Sequence, residues 1–360
     1  MGNKQQKVLK SQDQFLDLDS FVKSPLTQHN KIYINLCGKI MNLSNILKFS
    51  QAISRCVNLS VLVLDLAFSN IGVVSAYNLG QALATCKGLQ DLKIDLCQNK
   101  ISDLFVQELF SPLVSCSQLQ SLDFNLCNND IKYQGVIFLC SNLEKYSSLQ
   151  TLNLFLKNND IQMWGFARLL QSLGKCSSLL TANLFGIGGK PIKETNETQQ
   201  NLVINQNHNL KSLNLQLNLP DSISVSILGN ALESFPSLSC LTINLNQNMI
   251  SEEGVSALGS GLAKCLNLQI LKLYLVDNKI SGQCALELTK SISKCIRLIY
   301  LSLDLRQIYQ VQFKLFYLIN YFQLQQKIIF NKQSYQSTFQ VYDKYLYNKV
   351  QKISQKKYLL

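Results

Sequence analysis

Apolar residues follow two alternating rhythms along most of the chain. The stretch Leu59-x-x-Leu62-x-Leu64-x-Leu66 places them at every second position, the period of a strand with one buried face. Beyond it Leu79/Leu83 return at a spacing of four, the period of a helix. The same switch recurs at Leu89, Leu92, Ile94, Leu96 with Ile101; Leu119, Leu122, Phe124, Leu126 with Ile131; and Leu149, Leu152, Leu154, Leu156 with Ile161. It returns at Leu238, Leu241, Ile243, Leu245 with Ile250 and at Leu268, Leu271, Leu273, Leu275 with Ile280. Helical pairs follow at Leu109/Leu113, Leu139/Leu143, Leu169/Leu173, Leu258/Leu262 and Leu288/Ile292. The leading leucines Leu59, Leu89, Leu119, Leu149 and Leu179 stand 30 residues apart, and Leu210, Leu238, Leu268 and Leu298 continue the series. A fixed period of this size predicts stacked strand–helix units, each burying its apolar face against the next. About ten strands are expected, from Ile32-Tyr33-Ile34-Asn35-Leu36 to the segment ending at Leu305, and at roughly 4.8 Å per strand they make a sheet about 43 Å long.

Other positions repeat with the leucines. Asn stands three residues after the last strand leucine at Asn99, Asn129, Asn159, Asn248 and Asn278. Helix starts are marked by Ser102-Asp103 and Ser251-Glu252-Glu253, and helix ends by Arg55, Lys145, Lys175, Lys264 and Lys294, as the macrodipole favours. Over about Ile32 to Leu305 this frame resembles the leucine-rich repeat family, specifically its ribonuclease-inhibitor-like class of long strand–helix repeats. One departure is an extra x-Leu pair within the family's usual frame, which implies a longer strand. The resemblance implies an α/β fold: a curved solenoid, or horseshoe, with an inner parallel sheet and outer helices.

The rhythm also divides the chain: residues 1–30 form an N-terminal segment or cap and residues 31–305 the solenoid, with an irregular unit at 185–209. There the helix columns vanish, and Gly186-Ile187-Gly188-Gly189-Lys190-Pro191 precedes the polar run Glu194 to Gln200, which reads as a loop or degraded unit that divides the array. Leu315, Leu318, Ile319 and Phe322 have helical spacing and give a C-terminal cap over 306–330, while 331–360 is a poorly ordered tail rich in Tyr, Gln and Lys.

Charge alters this picture little. The 34 Lys+Arg against 22 Asp+Glu give +12, but nine basic residues and the single acid Asp343 put +8 of it after Leu305, so the solenoid is close to balanced. A nucleic-acid groove along it is not expected. The N-terminus lacks the apolar run of a secretory signal, and Gln6 stands where an N-myristoylation motif starting at Gly2 wants Ser or Thr. The uncharged run Leu66 to Cys86 resolves into strand, turn and helix, so no membrane span is predicted.

Candidate chemistry is sparse. His29 and His208 are the only histidines, neither has ligand-spaced neighbours, and Lys190-Pro191 does not complete a phosphate loop. No metal, cofactor or enzymatic activity is expected. Six of the 12 cysteines, Cys56, Cys86, Cys116, Cys176, Cys265 and Cys295, occupy one repeat position, a packing slot for buried thiols. Cys97 and Cys127 form a second column. Free thiols in such number and the sequon Asn58-Leu59-Ser60 inside the core repeat point to a reducing, cytoplasmic compartment.

Residues between the ladder leucines face out of the sheet. One column reads Asp65, Asp95, Asn125, Phe155, Phe185, Gln216, Asn244, Tyr274, Asp304; its neighbour reads Val63, Lys93, Asp123, Asn153, Asn183, Asn214, Thr242, Lys272, Ser302. Two successive aromatics with a polar rim have the character of an interaction hot spot. The alternative is that Phe185 folds over the irregular unit and Phe155 packs on it. The expected function is a non-catalytic intracellular scaffold binding a protein partner on the concave face, through Asp65, Asp95, Asp123, Asn125, Phe155, Phe185, Lys272 and Tyr274. A second reading is a regulator of a small GTPase: the unit Ile250-Ser251-Glu252-Glu253-Gly254 with Leu258 resembles those of GTPase-activating proteins for the nuclear-transport GTPase, although a basic tail replaces that family's acidic C-terminal region. A third is nucleic-acid or anionic-surface contact through the basic tail.

Overall fold

The structure is a computed structural model that describes residues 14–188, 205–219, 222–278, 280–305 and 329–330. The Gly2 position, the run Glu194 to Gln200, the cap expected over 306–330 except its last two residues, and the 331–360 tail lie outside the described residues. Among those described, twelve strands form one parallel sheet in chain order: β1 (Gln14–Phe15), β2 (Lys31–Asn35), β3 (Val61–Asp65), β4 (Asp91–Asp95), β5 (Ser121–Asn125), β6 (Thr151–Phe155), β7 (Thr181–Gly188), β8 (Ser212–Asn218), β9 (Cys240–Asn244), β10 (Ile270–Tyr274), β11 (Tyr300–Asp304) and β12 (Ile329–Phe330). The helices are α1 (Leu18–Val22), α2 (Leu43–Ser54), α3 (Val73–Thr85), α4 (Asp103–Leu113), α5 (Tyr133–Leu143), α6 (Gln162–Lys175), α7 (Ser222–Leu232), α8 (Glu252–Leu262) and α9 (Gly282–Ile292). Alternation of strand and helix along one open sheet makes a curved solenoid of leucine-rich type, with ten principal strands, β2 to β11, and a two-residue strand at each end.

The register explains the repeat. Leu62, Leu92 and Leu122 are paired neighbours across β3, β4 and β5, as are Leu64, Ile94 and Phe124, so every ladder residue stacks on its equivalent. Ladder leucines and the helical pairs are buried together in one continuous core. Helices approach closely where a side chain is missing: a Cβ on Gly80 of α3 would lie 2.8 Å from the Leu109 carbonyl of α4. At the N-terminal end, Phe15, Phe21 and Leu26 are buried and close over the first turn, with the Phe21 and Phe49 rings 5.7 Å apart. Most principal strands are five residues long and stop before the fourth ladder leucine, so the extra x-Leu pair does not lengthen them. The Leu66 and Phe68 amides continue the inter-turn bonding to the Asp95 and Cys97 carbonyls.

Two side-chain columns hold successive turns together. Asn129 Oδ1 accepts from the amides of Asn99 (2.9 Å) and Ile101 (3.0 Å), while its Nδ2 donates to the Leu96 carbonyl at 3.1 Å. Asn99, Asn159, Asn248 and Asn278 also reach back to the previous turn, satisfying loop groups that neither helix nor sheet can pair. The slot cysteines are all buried, and five donate their thiol to a carbonyl near the end of the preceding turn's helix, as Cys116 does to Leu83 at 3.4 Å and Cys295 to Leu262 at 3.2 Å. Burial pushes these thiols up, Cys56 and Cys265 to about 12 and Cys116, Cys176 and Cys295 to about 11. Asn207 fills the same slot and donates to Leu173 at 2.8 Å; Tyr146 and Phe235 fill it with buried rings.

Of the irregular unit at 185–209, residues 189–204 lie outside the described residues, and the loop reading of 185–188 requires a correction. Residues 185–188 are not loop but the end of β7, and β7–β8 keeps seven paired positions where the other principal pairs keep five. One extra residue is absorbed as a bulge at Gly186, whose φ of +68 suits glycine and where a Cβ would lie 2.7 Å from Lys157 Cα. The bulge lets Ile187 pair with Leu217 and enter the core in place of the missing ladder leucine. The sheet therefore runs unbroken through the region expected to divide it.

Candidate functional site

The strand-end row of the inner face runs in register from Asn35 through Asp65, Asp95, Asn125, Phe155, Phe185, Gln216, Asn244 and Tyr274 to Asp304. Much of this row serves the backbone. The side-chain oxygens of Asn35, Asp65, Asp95, Asn125 and Asn244 each accept from the amide two residues on, at 2.9 to 3.1 Å, an Asx turn that starts the loop after the strand. An Asx residue is thus what a regular turn asks for here.

Phe155, Phe185, Gln216 and Tyr274 depart from that requirement. The two phenyl rings stack face to face, centroids 4.7 Å apart and planes 16° from parallel, and both are half-buried. Phe155 and Phe185 are direct neighbours on β6 and β7, so the sheet register sets the two rings side by side. A polar ladder runs beside them, with Lys93 Nζ 3.5 Å from Asp123 Oδ2, Asn153 donating to Asp123 at 3.2 Å and Asn183 donating to Asn153 at 2.6 Å. Asn125 donates to Asp95 Oδ2 at 2.8 Å. Three strands beyond Phe185, the Lys272 ammonium lies 5.9 Å from the Tyr300 ring centroid, next to Tyr274.

The candidate residues accordingly form three groups on one surface: Asp65, Asp95, Asp123 and Asn125 on β3 to β5, the Phe155/Phe185 stack on β6 and β7, and Lys272 with Tyr274 on β10. Ser302 and Asp304, placed in the same outward columns by the sequence, are buried, so on β11 the outward columns are closed at these two positions. Three further residues belong to this face. Asp91 starts β4 on the outward side and is exposed; strand alternation alone identifies it. Tyr300 supports Lys272. Phe68, on the loop after β3, has a φ of 57 and is 56% exposed, whereas the equivalent positive-φ positions carry Gln98, Asn128, Asn158, Gln247 and Asp277.

Among the described residues, no group of three His, Cys, Asp or Glu side chains could hold a metal ion, and no helix is long and apolar enough to cross a membrane. His29 is buried in the N-terminal segment, its Nε2 2.8 Å from Ser24 Oγ.

No family model matches the chain, and no curated protein matches its sequence. Among solved structures it is similar to a Caenorhabditis elegans tropomodulin C-terminal domain, at 18% identity and a TM-score of 0.32, over 54% of this chain and 92% of that one. It is also similar to a chain of the Drosophila Toll–Spatzle complex, at 12% identity and a TM-score of 0.34, over 79% of this chain and 44% of that one. Scores this low say nothing about what this chain binds.

Proposed function

We propose that this chain is a non-catalytic cytoplasmic scaffold of the ribonuclease-inhibitor-like kind that holds a protein partner on its concave sheet face. The observation that carries this reading is the break in the strand-end row. Five turns place a backbone-capping Asx side chain there, while two adjacent turns in mid-sheet place a stacked, half-buried phenylalanine pair instead. The phenyl rings cap no amide, and part of their apolar area meets water, so their contribution comes when something covers them. The Lys93–Asp123–Asn153–Asn183 ladder beside them supplies part of the polar rim that such anchors require. The slot thiols, each donating to a carbonyl, support a compartment in which cysteine stays reduced.

The test is affinity capture from the native cells with wild type and with Phe155→Ala combined with Phe185→Ala. Removing an aromatic anchor costs on the order of 2 kcal/mol or more, so roughly thirtyfold weaker retention is expected with an unchanged melting temperature. A double variant that melts much earlier, and whose folded fraction still retains the partner, would make the rings packing and end this reading. Faster GTP hydrolysis by a small GTPase on adding the purified chain would replace it with the regulator reading.

A further inference from the structure

Asp65 and Asp95 stand in a row whose turn needs one acceptor oxygen and no charge, although Asp95 also accepts from Asn125 with its second oxygen. Asn35, Asn125 and Asn244 make the same turn with a neutral amide, at 3.0, 3.1 and 3.0 Å, against 3.0 and 2.9 Å for the two aspartates. Charge at these positions also opposes folding, because Asp65 and Asp95 are direct neighbours on β3 and β4 and like charges opposite one another are unfavourable. Asp91 adds a third carboxylate on β4. On this part of the face, Lys93 is committed to Asp123, and Lys31 stands in the Asp91 row two strands away. Among the described residues, no ion pair holds Asp65, Asp91 or Asp95. Exposed Phe68 flanks this end on the loop after β3, in a left-handed conformation unfavourable for an aromatic residue.

We infer that the partner segment is cationic and apolar in a fixed order: an arginine or lysine seated over Asp65, Asp91 and Asp95, and an aliphatic or aromatic residue on the Phe155/Phe185 stack. This rests on the concave-face reading and deepens it. Asp95 precedes Phe155 by two strands, about 10 Å, so in an extended segment the two groups stand about three residues apart. The carboxylates set which partner arrives and in which direction, while the rings set how long it stays.

The probe is a displayed library of random dodecapeptides, selected on the full-length protein at low salt. Asp65→Asn with Asp95→Asn serves as counter-selection, and Asp65→Asn alone is run beside it, because asparagine keeps the turn at both sites but gives up the bond that Asp95 accepts from Asn125. The expected result is enrichment of peptides carrying arginine or lysine near an aromatic or large aliphatic residue, with at least tenfold weaker binding to the Asn variant and to Phe155→Ala/Phe185→Ala. Neutral or acidic winners that lose affinity only in the phenylalanine variant would overturn the inference and leave the concave-face reading standing. Winners indifferent to both variants would overturn both, and an absence of enriched peptides would overturn the inference. Carbodiimide cross-links within one chain, from Asp65 or Asp95 to a lysine of residues 331–360, would make the chain's own tail the occupant and overturn it as well.

Discussion

The turns from β3 to β6 and the turn from β7 to β8 bury the same kind of core by different means. In the former, side chains at fixed positions pair the loop backbone: an Asx residue at the strand end, an Asn bridging to the previous turn and a thiol donating to the previous helix. In the latter, the sheet does more of this: β7 and β8 run to eight and seven residues, a bulge at Gly186 keeps Ile187 in the core, and Asn207 rather than Cys fills the slot. A turn whose backbone is paired by its neighbour's backbone frees its side chains for other work. Phe155 and Phe185 stand at the edge of that freedom.

The largest expected effect separates the two kinds of turn by pH. Burial holds Cys56 and Cys265 near 12 and Cys116, Cys176 and Cys295 near 11, against an ordinary thiol value of 9.0. A thiol raised in the fold stays protonated there while its unfolded counterpart ionises. Its stabilising contribution is therefore intact below pH 9 and lost as pH climbs towards 11 and beyond, at about 1.4 kcal/mol per unit for each thiol. Summed over these five, several kcal/mol should be lost by about pH 10, with the melting temperature falling steeply. Limited proteolysis at that pH should cut first around β3 to β5, where Cys56, Cys86 and Cys116 fill successive slots, and later on the two sides of β8, where Asn207 and Phe235 do. Equal melting temperatures at neutral pH and pH 10 would contradict the assignment of these slots to thiols.

A smaller effect is expected from Asn129→Ala. The change strands the Asn99 and Ile101 amides and the Leu96 carbonyl, which Asn129 serves from a buried position, while the Leu126 and Cys127 carbonyls keep bonds from Asn159 and Gln98. Leaving buried backbone groups unpaired costs about 1–3 kcal/mol each where water cannot enter, so a total loss of about 3 kcal/mol in urea unfolding is expected. A loss below about 1 kcal/mol would mean that water replaces the side chain and that the column is decorative.

Sequence alone carries a great deal of this architecture, for a physical reason. Ladder leucines, the Asn column and the Cys column each repeat because every turn meets the same neighbours, so one residue's role is legible from its copies. What repetition does not mark is what was misread. Ile187 reads as loop because its partner position is displaced by one residue, and only the pairing with Leu217 shows it as core. Tyr146 and Asn207 share the cysteine slot without resembling cysteine. Asp65 and Asp95 read as partner-binding residues of the outward face, yet each also holds a turn amide, a task visible only in the bonds to Ala67 and Cys97.

The smallest expected change in stability, and the sharpest probe of the contrast, is Phe155→Asn. It gives β6 the strand-end residue that its neighbour β5 carries, since Asn125 there accepts from the Cys127 amide and an Asn at 155 could accept from Lys157 in the same way. One net hydrogen bond contributes about 1 kcal/mol, and the lost ring stack removes a similar amount, so the two nearly cancel. Melting temperature should move by no more than a few degrees in either direction, on the scale that about 1 kcal/mol produces in a chain of this size. Partner retention should nevertheless fall at least roughly tenfold, because half of the stacked anchor is gone. If Phe155 instead braced the irregular turn, the same substitution would remove core contacts that no Asx turn replaces, and the loss would approach the 3–5 kcal/mol range of a buried phenylalanine, roughly what Phe110→Ala should show. Measuring Phe155→Asn beside Phe110→Ala places the ring on one side or the other: a near-neutral melt with lost binding marks a surface kept for a partner, and a melt as damaged as that of Phe110→Ala marks a ring kept for the fold.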